Sequence, residues 1–178
     1  MKPYKFSPIK DEDELLKAVE YVHSKCFELC KAVFGKYLPV AGNIGIFCHY
    51  DDEYKFLTKL RERLTEESNN WNQKYYRLHK PIVIPAQGNI PTAIYTYLYI
   101  RQPDEQEEVG DVDFVLNGRE YLELKNSLLS GKEIRGIKIF NRPDLDLIKL
   151  SDPNIDAFSF IGTKDMTENV KVKTTSKL

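Results

Sequence analysis

Three cysteines in 178 residues are too few for a closed disulfide framework, which makes a reducing compartment the expected one, the cytosol first of all. No apolar run approaches the roughly 20 residues that a membrane-spanning helix needs, so no membrane partner is expected. The opening Met1-Lys-Pro-Tyr-Lys-Phe6 is too polar for a secretory signal. An excess of one charge is missing too. The formal net charge is -1, with both signs mixed along the chain. A phosphate backbone needs a concentrated basic face, so nucleic acid is not the expected partner. Aromatic residues, by contrast, are plentiful: 11 Tyr and 9 Phe. The C-terminal Ser176-Lys177-Leu178 matches the peroxisomal address of eukaryotic cells, although positions 171–178 also read simply as a polar tail.

The dominant pattern is a repeat. In the later copy, Asp111 to Leu116 reads as a strand and Glu120 to Leu129 as a helix closed by Gly131. Strand-like runs follow at Gly136 to Phe140, Leu145 to Leu150 and Ala157 to Ile161. The earlier copy offers a strand at Ile44 to His49, a helix from Glu53-Tyr54, and strands at Tyr75 to Ile84 and Ala93 to Ile100. Ahead of both, an acidic turn (Asp11 to Glu14) precedes apolar residues at helical spacing, from Leu15 through Val19, Val22, Cys26 and Cys30 to Val33. Gly35 follows as the stop. The expected fold is therefore α+β: two βαβββ modules forming one curved mixed sheet around a cavity, with an N-terminal helical extension. The expected segments are an N-terminal helix and linker at 1–42, modules at 43–108 and 109–165, and a tail at 166–178. Turn signals stand at Asn141-Arg-Pro-Asp144 and Ser151-Asp-Pro-Asn154, and a polar loop at Glu66 to Gln73 carries Trp71.

Period-2 alternation assigns faces to the strands. Ile44, Ile46 and Cys48 oppose Phe47 and His49. Ile94, Leu98 and Ile100 oppose a stripe of Tyr95, Tyr97 and Tyr99. Val112, Phe114 and Leu116 oppose Asp111 and Asp113, and Phe158 and Phe160 oppose Ser159. With the aliphatic faces packed on helices, the expected lining is Phe47, His49, the three tyrosines, the two aspartates and Ser159. That is the composition of a small-molecule pocket.

The paired units, with Leu147-Ile-Lys-Leu-Ser-Asp-Pro-Asn154 similar to a module-ending strand and turn, resemble the vicinal oxygen chelate (glyoxalase-like) superfamily over residues 43–163. The resemblance implies a divalent metal held by His and Glu from the first and last strands of each module, and a homodimer. Carried onto this chain, it makes His49 and Asp113 the metal candidates. Ser159 stands where the last strand would usually offer Glu.

His49 with Asp111 and Asp113 is the catalytic candidate, as a general base with a carboxylate partner or as half of a metal site. Phe47, Tyr95, Tyr97, Tyr99 and Ser159 are the substrate-binding candidates. The expected function is to bind or transform a small polar or oxo-acid metabolite by lyase or isomerase chemistry. One alternative is a non-catalytic ligand-binding or interaction domain of the same fold. A second is a Mg-dependent nuclease of the restriction-endonuclease-like type, whose spacing Asp113, Glu123 and Lys125 match. It requires a strand where the apolar spacing and stop favour a helix. His23, Cys26 and Cys30 share a helix face and read as core.

Overall fold

In the computed structural model, residues 4–68, 70, 73–141, 146–169 and 171 are described. Helix α1 (Glu12–Phe34) begins where the Asp11 side chain accepts the Glu14 N–H at 2.8 Å, and ends at Gly35, whose φ of 67° few other residues adopt. There follow β1 (Val40–Phe47), α2 (Asp51–Leu64), β2 (Tyr75–Ile84) and β3 (Ala93–Arg101). The second half runs through β4 (Gly110–Val115), α3 (Gly118–Leu129), β5 (Ile137–Asn141), β6 (Asp146–Leu150) and β7 (Phe158–Gly162), then α4 (Lys164–Asn169). Trp71, the Arg142 to Asp144 part of one expected turn, Leu145 and Ser176-Lys177-Leu178 lie outside the described residues.

All seven strands join in one open mixed sheet, ordered β2-β3-β1-β4-β7-β6-β5. Each half lays down a strand, crosses through a helix, and returns by an antiparallel hairpin whose last strand runs parallel to the first: β3 beside β1, β7 beside β4. The antiparallel pairing of β1 with β4 fuses the halves into a single α+β sheet. The halves are not equal. Among the described residues the first has two strands after its helix where the second has three, so β5 has no counterpart.

The helices α1, α2 and α3 cover one face. Burial follows the apolar stripe of α1: Leu15, Val19, Val22, Cys26, Phe27 and Cys30 are all within 1% of full burial. Phe27 meets Phe114 of β4 edge-on at 5.2 Å, and Leu57 and Leu60 of α2 join the same core. Each such side chain contributes about 1.5–3 kcal/mol of burial. Among the described residues, the helix that crosses the opposite face is short α4, over β1, β4 and β7. Gly162 lies beneath it, with Thr167 Cγ2 in ordinary van der Waals range of a Cβ built there, at 3.4 Å.

Candidate acid pair on the sheet face

Strand register places the polar residues in rows across the face opposite α1. Tyr75, Tyr99, Gly45, Asp111 and Phe158 form one row. Arg77, Tyr97 and Asn43 lie along the next, which Asp113, Phe160 and Lys149 continue on the other half. Asp111 and Asp113 therefore point the same way from β4. Both are buried, at 3% and 8% exposure.

The Asn43 amide donates to Asp113 Oδ2 at 2.9 Å, and Tyr75 stands in the same row as Asp111. Each carboxyl keeps one buried oxygen without a partner, Asp111 Oδ1 and Asp113 Oδ1. Gly45 makes room for the first of these: a Cβ at 45 would collide with Asp111 Oδ1. Burial pushes the Asp113 carboxyl up to about 7, against the pull of the Asn43 N–H and the Lys171 ammonium. Burial raises Asp111 as well. The neighbouring Asp113 charge adds to that rise, while Arg101, Tyr75 and Lys149 oppose it.

Three cations surround the pair, each resting on an aromatic ring. Arg101 lies 3.5 Å from the Phe47 centroid, Lys149 4.0 Å from that of Phe158, and Lys171 5.2 Å from that of Tyr97. Each also meets an outer carboxylate: Asp104 at 3.1 Å, Glu108 at 3.8 Å and Glu168 at 2.6 Å, respectively. Lys149 and Glu108 also line a groove of about 1500 Å³ that opens between Tyr21, Arg135 and Asp156.

Several expected placements are corrected. His49 does not reach the aspartates. It follows β1 at the end away from Asn43, on the order of 15–20 Å along the strand direction. Its Nε2 donates to the Glu108 carbonyl at 3.1 Å, so its Nδ1 accepts the Ser7 hydroxyl at 2.8 Å, and Tyr4 stacks on the ring at 3.7 Å. Burial lowers its basicity. Ser159 pairs in register with Val112, on the α1 face beside Cys26. Phe158 and Phe160 take the place on the open face expected for it. Tyr95 is fully buried on the α1 face, with its hydroxyl at 2.8 Å from His23 Nδ1. Only Tyr97 and Tyr99 of the stripe face the carboxyls, and Phe47 lies at the rim beneath Arg101.

The metal set implied by the family resemblance does not fit these residues. Both His49 ring nitrogens are engaged far from Asp113, and among the described residues no three His, Cys, Asp or Glu side chains converge as a metal cluster. The nuclease arrangement lacks its strand. Glu123 and Lys125 lie on α3, and exposed Glu123 pairs with Arg119 at 2.9 Å. His23, Cys26 and Cys30 are core, as expected, with Cys26 donating to the Phe158 carbonyl at 3.3 Å.

Asn43, Tyr75, Arg101, Lys149 and Lys171 were not among the expected site residues. Alternation from Phe47 back through Gly45 reaches Asn43, but nothing local in the sequence marks the other four.

No protein-family model matches the chain, and no curated protein matches it. One solved chain, described as "Structural Genomics, Protein EC4020", is similar in fold with a TM-score of 0.50 and 16% identity, covering 92% of this chain and 93% of its own length.

Proposed function

We propose that the protein binds a small oxo-acid metabolite and moves a proton on it, with Asp113 as base and Asp111 as acid. One observation carries this reading: two buried carboxyls, neighbours on one strand, each keep a buried oxygen without a partner. Structural carboxylates ordinarily have every oxygen satisfied, and unsatisfied pairs of this kind mark proton-transfer sites. Repulsion and burial keep the two from ionising together, so near neutral pH one donates while the other accepts. Asp113 takes the proton from carbon beside the substrate carbonyl, and Asp111 gives one to the carbonyl oxygen, leaving an enol. Where that carbon carries a hydroxyl the enol is an enediol, and loss of the second hydroxyl's proton to Asp111 with return of the carbon proton from Asp113 to the former carbonyl carbon completes an isomerisation. Lys149 and Arg101 supply positive charge for an acid substrate.

The test is deuterium exchange in D₂O at the carbon next to the carbonyl, followed by proton NMR over a panel of 2-oxo acids. Exchange by the native protein, reduced at least about 100-fold by Asp113→Asn, is the expected result. Thermal stabilisation by a panel member without exchange would favour a binding domain instead. Neither effect with any member would sink the reading.

A further inference from the structure

We propose that Lys171 is a positioning residue of this site: it is the cation that holds Asp113 as a carboxylate, while α4, which precedes it, shields the pair from water. The inference rests on the proton-transfer reading above.

The chain passes from β7 through α4 and over the face of the sheet, and at Lys171 it forms a parallel bridge to Tyr75 of β2. It thus spans the rows holding Asp111 and Asp113. Thr167, 7% exposed, is the buried contact of α4, settled against Gly162. Lys171 then turns inward. Its side chain is 8% exposed, with Nζ above Tyr97, in the row that Asn43 and Asp113 share. Lysine is almost never so buried without a paired charge. Its ion-pair partner among the described residues, Glu168 at 2.6 Å, is half-exposed at 52%, and solvent weakens that pair.

The three cations divide between the acids. Arg101 of β3 and Lys149 of β6 act on Asp111, whereas Lys171 acts on Asp113. The remaining groups around Asp113 are Asn43 of β1, Asp111 on its own strand, Tyr75 of β2 and Cys26 of α1 across the sheet, while β7 offers only Phe160. Among the described residues, Lys171 is the cation whose charge favours the ionised Asp113.

Carboxyl carbon NMR titration tests this, with Asp113→Asn used to assign the resonance. In Lys171→Met, which keeps most of the packing stem, the Asp113 midpoint is expected to rise by about one pH unit. Lys171→Arg should retain the native midpoint. Glu168→Gln, which frees Lys171 from its outer partner, should lower it, and this variant carries the test if Lys171→Met does not fold. An unchanged midpoint in Lys171→Met overturns the proposal. So does an equal rise in the Met and Arg variants, which would trace the effect to packing, or an unchanged or raised midpoint in Glu168→Gln. The titration needs no substrate. A null result there leaves the exchange assay standing, and failure of the exchange assay leaves the titration interpretable.

Discussion

A methyl group at position 45 would land on the Asp111 carboxyl and within 3.1 Å of the Phe47 ring, so Gly45→Ala must displace one or both. A loss of about 1–3 kcal/mol is expected from denaturant unfolding, together with impaired exchange. An unchanged midpoint would mean that Asp111 does not lie over Gly45. His49 separates the earlier expectation from the present reading. His49→Ala removes the Ser7 and Glu108 hydrogen bonds and the Tyr4 stack, a cost of about 1–3 kcal/mol, but should leave exchange within about threefold. Loss of exchange in a folded His49→Ala would return the base to His49. Residue types alone made His49 the obvious base. Its hydrogen bonds come from Ser7 and Glu108, far away in sequence, and no local pattern announces them.

Elements were the most legible level. The strand at Tyr75 to Ile84 and the helix from the acidic turn to Gly35 follow from alternation, helical spacing and capping residues, all local in origin. Asp11→Ala should cost about 1 kcal/mol by removing the cap of α1, read as a lower thermal midpoint. Faces were less legible than elements. Strict alternation along β3 would group Tyr95 with Tyr97 and Tyr99. However, the pairing of β2 with β3 is irregular between Arg77 and Ile82, and Tyr95 turns toward His23. The face of β7 was misread for a different reason. Phe158 and Phe160 are the larger apolar residues, yet small Ser159 is the one that fits beneath Cys26 and α1.

The charge buried in the whole molecule ties stability to pH. The folded Asp113 holds its proton up to about 7, whereas its unfolded counterpart loses it near 3.8, so stability falls as pH rises through that window. Asp111, shifted the same way, extends the fall. His23, lowered to about 4 by burial from an unfolded 6.5, acts oppositely: its contribution is present above 6.5 and lost as pH falls toward 4. His49, lowered by burial as well, acts with His23, so the opposing slopes offset one another below about pH 6.5, and the thermal midpoint should decline from there through about pH 7. In the Asp111→Asn/Asp113→Asn double variant that decline should vanish, leaving the rise at lower pH from the two histidines. A decline that persists there would place its source outside the acid pair.

The sequence by itself determined the α1 boundaries, the strand–helix–strand repeat and the α+β class, because periodicity, caps and turns act over neighbouring residues. It also put Asp111 and Asp113 on one face, since two positions apart on a strand is a local relation. Tertiary structure alone decided what surrounds them. The β1–β4 pairing brings Asn43 and Gly45 alongside, β2 supplies Tyr75, and the chain returns after β7 to lay Lys171 over Tyr97. These contacts join residues 36 to 74 positions apart in the chain or shift with a single bulge, and only the assembled sheet fixes them.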